Sequence, residues 1–165
     1  MKRRVRDIEI REEDSVTEII DKMEDSGGFV AKKFAIACKI LKEMILDKDC
    51  KRFLSFPASL VSTGARGIIR DMIKKEFFDV VVTTCGTLDH DIARCFKDYY
   101  HGHFFMNDSE LHKKGVNRLG NVLVPNDSYG DIIEEKMTEM LGEIFREKKQ
   151  LATYELCWEL SLIHI

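Results

Sequence analysis

Residues 79–91, D-V-V-V-T-T-C-G-T-L-D-H-D, constrain the fold more than any other part of the sequence. The four β-favouring residues 80–83 predict a strand that is apolar on both faces, which only a sheet covered on both sides can bury. The strand ends at Thr84-Cys85-Gly86, where small residues allow a ligand to approach the backbone closely. Because Asp89-His90-Asp91 follow at once, strand, turn and acidic cluster together form a candidate ligand site.

A second strand and turn of the same kind precede this stretch. Residues 52–56 predict a short strand that stops at Pro57, and Ala58-Ser59 continue a small-residue turn. The helix that follows starts at Ser62-Thr63-Gly64 and carries Ile68, Ile69, Met72 and Ile73 on one face. Strand, helix and strand within about 30 residues predict a βαβ unit with parallel strands and a right-handed crossover. Both turns then lie at the carboxyl ends of adjacent strands, where open α/β sheets bind ligands.

The pattern leaves two interpretations of these turns open. Phosphates of a nucleotide can sit on backbone N–H groups at the helix start near Ser62, aided by the helix dipole. A tight turn without a ligand explains the same residues, since the sequence has neither the G-x-G-x-x-G fingerprint nor a Walker lysine. Asp91 fits an acid at a helix N-terminus, whereas Asp89 and His90 are nearer the strand end and can hold a cationic or hydroxylated ligand.

Periodicity predicts helices on both sides of this unit. A capping box at Ser15 begins an amphipathic helix that stops at Ser26-Gly27-Gly28, and an apolar stripe of Phe34, Cys38, Leu41 and Ile45 between residues 29 and 46 completes a helical hairpin. The later predictions are a helix over residues 91–99 with Ile92, Cys95 and Phe96 turned inward, an irregular stretch at 101–105, a brief apolar segment at 122–124, a long helix at 129–149 and a final helix from Thr153. The sequence therefore predicts one three-layer α/β domain.

Composition excludes several classes of partner. The 29 acidic and 26 basic residues give a formal net charge of -3 and are interspersed, so no basic face is large enough for nucleic acid. No apolar run approaches the roughly 20 residues of a membrane span, so we expect no membrane partner.

The five cysteines are an odd number without a C-x-x-C pair, which predicts a reducing, cytoplasmic compartment. Cys38 and Cys157 have apolar neighbours and are interpreted as buried fillers, while no basic residue stands beside Cys85 to make it reactive. His101 and His103 lack an obvious third ligand, so we expect no metal site.

Three separated motifs resemble the deoxyhypusine synthase family. They are L-V-S-T-G-A-R-G-I-I-R at residues 60–70, D-V-V-V-T-T-C-G-T-L-D-H-D at 79–91 and G-V-N-R-L-G-N-V-L-V-P-N-D-S-Y-G at 115–130. Their order is similar to the first half of that family, and the T-T-C-G-T-L-D-H-D form is similar to an archaeal-type branch. The resemblance implies the family's Rossmann-like fold, an open parallel α/β sheet that binds NAD without the common glycine fingerprint.

The resemblance also implies a transferase that is a homotetramer. Enzymes of this family oxidise spermidine with NAD, pass its aminobutyl group to a lysine as an imine, and transfer it to one lysine of the hypusine-carrying translation factor. Matched position by position, the NAD-contacting segments fall on Ala58, Ser59, Leu60, Val61 and Ser62 and on Thr84, Cys85 and Gly86. The family's pair of acids falls on Asp89 and His90, which implies that both contact the substrate and that His90 also contacts NAD.

Two departures from the family pattern bear on activity. Better-known members carry two glutamates where this chain has Asp89-His90 and an asparagine in place of Ser59, and a histidine cannot replace a carboxylate as the counter-ion of a polyamine. The family's nucleophilic lysine belongs to a Trp-Gly-Lys segment in its second half, and this chain contains no such segment. We therefore expect no catalytic residue here and an inactive isolated chain. A non-catalytic paralogue that activates a synthase partner, and a homospermidine-type or other-amine transferase, are the alternatives.

We expect three regions along the chain. They are an arm and helical hairpin at residues 1–50, the first half of an NAD-binding α/β domain at 51–160, and a tail at 161–165 that resembles a translated sequencing adapter. Half of a doubly wound sheet leaves an edge strand and an apolar face uncovered, which predicts association or poor solubility.

Overall fold

The structure, a computed structural model, describes residues 3–164 and the side chains of residues 3–160. The predicted tail therefore lies outside the described side chains, and its origin stays a prediction. The helices and strands are α1 (Val16–Asp25), α2 (Phe29–Leu46), β1 (Phe53–Phe56), α3 (Ala65–Lys74), β2 (Val80–Thr83), α4 (Gly86–Phe96), β3 (Tyr100–His101), α5 (Asp108–Lys113), β4 (Val116–Leu119), β5 (Val122–Pro125), α6 (Gly130–Glu147) and α7 (Thr153–His164). None of the described helices has the length and apolar character of a membrane-spanning helix.

The chain divides into two compact units, of which the first comprises Met1–Leu54 and Glu76–Val80. Its helical hairpin is confirmed. The capping box closes at both ends, because the Glu18 N–H donates to Ser15 Oγ at 3.3 Å and the Ser15 N–H donates to Glu18 Oε2 at 2.8 Å. Helix α2 packs on α1 and buries Ala35, whereas Phe34 and Leu41 of the predicted stripe are exposed. The stripe is therefore confirmed only in part, since Cys38 and Ile45 are half-buried and the other two residues are not covered.

Strands β1 and β2 form a two-stranded sheet. At the start of both strands the Asp79 N–H donates to Arg52 O at 2.9 Å. At the end of both strands Thr83 Oγ1 donates to Phe56 O at 2.8 Å. The pair is therefore parallel, as predicted, with α3 between the strands in sequence. All four residues of β2 are exposed, so burial of both faces is wrong for this chain. The described residues contain only this parallel pair, and a three-layer Rossmann-like sheet stays a prediction.

A second, antiparallel sheet was not predicted. It belongs to the other compact unit, Ser55–Lys75 with Val81–Ile165, and has the strand order β3-β5-β4. Leu119 pairs with Val122 across a two-residue loop, in which Gly120 adopts a φ of +63°. Glycine at the first central position is typical of a tight hairpin turn. Of the stretch 101–105 that we interpreted as irregular, only His101 belongs to a strand, since β3 comprises Tyr100–His101.

The core of this second unit lies between α4, α6 and α7, where Ile92, Met140, Ile144 and Leu160 form one cluster. Helix α4 begins at Gly86 rather than at Asp91 and ends at Phe96. Its buried residues are Ile92 and Ala93, so the prediction that Cys95 and Phe96 point inward is wrong: the small Ala93 occupies the inner position. Cys157 is also exposed and Cys38 only half-buried, so neither is the buried filler that its apolar neighbours in sequence predicted.

Candidate functional site

The two small-residue turns meet at the end of the parallel pair, as predicted. The Ala58 N–H, just beyond β1, donates to Thr84 Oγ1, just beyond β2, at 3.1 Å. Gly86 completes the contact, since a Cβ added there would lie 3.1 Å from the Cβ of Ala58. Because carbon atoms pack best at about 3.5–4.0 Å, only glycine fits this position without movement of its neighbour. The turns thus form one continuous surface of small residues.

The turn after β1 is held together by its own side chains. Residues Ala58–Leu60 form a single 3-10 turn, and Ser62 Oγ donates to Ser59 O at 2.7 Å. Val61 and Ser62 are 97% buried, with 3% of each exposed, whereas Ala58 is half-buried and Ser59 and Leu60 are exposed. Val61 and Ser62 therefore support the turn from inside, and Ala58, Ser59 and Leu60 are the residues that can meet a ligand.

Backbone N–H groups at the start of α3 are also paired. The Thr63 N–H donates to Leu60 O at 3.1 Å, the Arg66 N–H donates to Thr63 O at 3.2 Å, and the Ala65 N–H donates to Thr63 Oγ1 at 3.1 Å. One of the two interpretations of the turn left these groups free for phosphates, and in this structure the turn itself satisfies them. A ligand at this edge must therefore use other donors or displace these bonds.

Helix α4 brings Asp89 and His90 into contact with two tyrosines from distant parts of the chain. His90 Nδ1 is 2.9 Å from the Tyr99 hydroxyl, and the ring centroids of His90 and Tyr129 are 5.1 Å apart. Tyr129 Oη donates to Asp89 Oδ2 at 3.3 Å. All four side chains are half-buried. We call this group the His90 cluster.

Burial dominates the electrostatics of this cluster. It lowers the pKa of His90 below its usual value, and the nearby Arg94 charge acts in the same direction while Asp89 opposes both. Burial raises the pKa of Tyr99 to about 12, and burial together with Asp89 raises the pKa of Tyr129. At neutral pH the cluster therefore contains a neutral imidazole and two protonated phenols.

Arg94 lies one helical turn beyond His90 on α4. Its Nη1 donates to Val61 O at 2.9 Å and to Thr63 O at 2.6 Å, so it joins α4 to the turn that follows β1. Its guanidinium carbon is 5.8 Å from the centroid of the Tyr99 ring. The same side chain thus contacts both the turn and the His90 cluster.

Comparison with known proteins explains why these features occur together. Residues 18–163 match the family model described as Deoxyhypusine synthase. The chain belongs to the deoxyhypusine synthase family. The resemblance of the three sequence motifs is thereby confirmed.

The curated relatives are archaeal members of the deoxyhypusine synthase family. A protein named "Probable deoxyhypusine synthase" from Picrophilus torridus is 52% identical over 161 residues, which cover 98% of this chain and 51% of the relative. One of the same name from Thermoplasma acidophilum is 47% identical, with 98% and 52% covered, and one from Ignicoccus hospitalis is 44% identical, with 98% and 50% covered. The chain spans about half the length of the curated relatives it matches.

The structure brings together the two predicted NAD-contacting segments, at residues 58–62 and 84–86. Asp89 and His90 lie on α4, the helix that follows the second segment. Asp91 is not in the first turn of α4, where it was expected. It pairs instead with Arg66, whose Nε lies 2.5 Å from Asp91 Oδ1. Among the described residues no group of three or more His, Cys, Asp or Glu side chains is arranged to hold a metal ion.

The sequence analysis did not predict three residues of this site, namely Arg94, Tyr99 and Tyr129. Arg94 had a local signal, because it is four residues after His90 and a helix places such residues on one face. Tyr129 had none, since 40 residues separate it from the Asp89 that it contacts.

Proposed function

We propose that this chain provides the first half of the NAD site of a deoxyhypusine synthase-type transferase. In that reaction the aminobutyl group of spermidine moves to a lysine of the hypusine-carrying translation factor. The observation that carries the proposal is the contact between the turns, in which Ala58 and Thr84 are hydrogen-bonded and Gly86 leaves room for no side chain. Family membership over residues 18–163 supports it.

NAD, when bound, accepts a hydride from the amine and later returns it. The residues of this chain would bind and orient it: Ser59, Leu60, Thr84 and Cys85 are exposed at the edge where the two parallel strands end. Two helices, α3 and α4, begin at this edge, and their N-terminal dipoles favour negative charge such as that of a pyrophosphate. The residues present therefore fit a dinucleotide.

Asp89 is the group that would hold an amine. Its carboxylate already accepts a hydrogen bond from Tyr129, and a carboxylate binds an ammonium group by charge-assisted hydrogen bonds. His90 contributes no negative charge, because a histidine ring is either neutral or cationic, and burial lowers its pKa and so favours the neutral form. This single feature favours a second candidate function, transfer from an amine other than spermidine.

The test has two stages. Calorimetric titration of the chain with NAD⁺ and, separately, with spermidine should show NAD⁺ binding that Thr84→Val weakens and that Ser109→Ala on α5 leaves unchanged. A folded chain that does not bind NAD⁺ would contradict the proposal.

The second stage joins residues 1–160 of this chain to the second half of the Picrophilus torridus relative. The chimaera should form deoxyhypusine from spermidine and NAD⁺. Product from putrescine or agmatine instead would identify the other-amine function. A chimaera that binds NAD⁺, transfers nothing and raises the activity of the intact relative would identify a non-catalytic activating paralogue.

A further inference from the structure

We propose that Arg94 is a positioning residue that fixes the shape of the turn after β1 and thereby sets the affinity for NAD⁺. This inference rests on the proposed function, since it concerns the same site. It adds a residue that lies outside all three sequence motifs. Arg94 is expected to act through the turn and not by touching the dinucleotide.

The first step is the geometry of the two bonds. A single nitrogen, Nη1, donates to the carbonyls of Val61 and Thr63, which flank the buried Ser62. Holding two carbonyls two residues apart restricts the φ and ψ angles between them, which are the only soft backbone dihedrals because the peptide unit is planar. The exposed residues Ser59 and Leu60 immediately precede this clamped segment, so their position depends on it.

The second step is the environment of the bonds. Arg94 is half-buried, and hydrogen bonds from a charged donor are stronger than neutral ones when water is partly excluded. Among the described residues Arg94 forms no ion pair with a carboxylate, so backbone carbonyls are its main acceptors. The ring of Tyr99 lies beside the guanidinium and limits where it can move.

The third step is connectivity. Arg94 is on α4, the helix that starts at Gly86 in the second turn, and it reaches the turn of the first strand. The Ala58–Thr84 bond joins the same two turns at their other end. Loss of Arg94 should therefore loosen the turn after β1 while the contact at Thr84 persists.

The test compares Arg94→Ala and Arg94→Lys with a matched control, Arg70→Ala. The control removes an arginine from α3 whose side chain pairs, within the part of the chain that the structure describes, with its neighbour Asp71 alone. Hydrogen exchange of residues 58–64, measured without ligand, should be at least roughly tenfold faster in Arg94→Ala, as expected for loss of its two charge-assisted bonds. NAD⁺ should bind this variant roughly tenfold more weakly. Arg94→Lys should be intermediate, and added ethylguanidinium should restore affinity to Arg94→Ala but not change the parent chain.

The outcomes separate this inference from the proposed function. Unchanged exchange in residues 58–64, or an equal effect of Arg70→Ala, overturns the positioning role. Faster exchange throughout the chain also overturns it, because the effect is then a general loss of stability. A parent chain that does not bind NAD⁺ overturns the proposed function and the NAD⁺ part of this inference, and the exchange of the turn then decides the positioning role by itself.

Discussion

Substitution of Gly86 by alanine tests the contact between the two turns most directly. The added Cβ would lie 3.1 Å from the Cβ of Ala58, closer than the separation of about 3.5–4.0 Å at which carbon atoms pack best. Overpacking of this kind costs about 1–3 kcal/mol, and the exposed surroundings favour the lower end because neighbouring atoms can shift. Alanine gains up to about 1 kcal/mol over glycine in a helix, and less in the first turn, where Gly86 lies. We expect Gly86→Ala to lower the free energy of unfolding by about 1 kcal/mol.

A double-mutant cycle isolates the contact from these other effects. In an Ala58→Gly background the methyl group that Gly86→Ala would meet is absent, so the same substitution should be neutral or stabilising. The two changes should therefore show a coupling of about 1–2 kcal/mol in favour of the double variant. Urea unfolding followed by circular dichroism measures all four proteins.

Gly142 on α6 provides the control. A Cβ added there meets no described atom within 4 Å, so Gly142→Ala should be stabilising by up to about 1 kcal/mol through helix propensity alone. The reasoning is refuted when Gly86→Ala stabilises the chain as Gly142→Ala does, or when the coupling with Ala58 stays below about 0.3 kcal/mol.

Three further predictions concern other parts of the chain. Because burial lowers the pKa of His90, its contribution to stability is complete above the unfolded-state pKa of about 6.5 and is lost as the pH falls below it. His90→Gln should therefore flatten the loss of stability between about pH 7 and 5. A pH profile identical to that of the parent chain would contradict the burial of the ring. Ile92→Ala should lower the free energy of unfolding in urea by about 2–5 kcal/mol, because Ile92 is 3% exposed. The control Ile68→Ala, at a residue that is 64% exposed, should change it by no more than about 0.5 kcal/mol. Similar losses in the two variants would show that α4 does not face the core. Ser15→Ala should cost about 1 kcal/mol by opening the capping box, whereas Thr17→Ala leaves the cap intact, and circular dichroism with urea unfolding distinguishes them.

Local signals predicted the helices and the parallel pair well. The capping residue Ser15 and the stop at Gly27 and Gly28 act within a few residues, and α2 has the predicted limits. The βαβ arrangement followed from the alternation of strand, helix and strand, because the chain between parallel strands must cross over. The start of α4 was missed since small residues at 84–87 suit a turn and a first helical turn equally.

What a helix or strand packs against was harder to predict. Val82 is 53% exposed and Phe29 is 95% exposed, although both are large apolar residues in regular elements. Periodicity identifies an apolar face, but burial depends on which other parts of a protein cover that face. The His90 cluster shows the same limit, because Tyr99 and Tyr129 reach α4 through tertiary packing that leaves no pattern in the sequence.

The separation in sequence of the contacts at the two turns has a consequence for how the chain folds. Ala58 and Thr84 are 26 residues apart, Val61 and Arg94 are 33 apart, and Asp89 and Tyr129 are 40 apart, whereas the α1–α2 hairpin is built from near neighbours. Each distant contact requires closure of a long loop, whose entropic cost is met before the contact stabilises anything. The hairpin should therefore form early in folding, and the surface made by the two turns should be among the last parts of the chain to take shape.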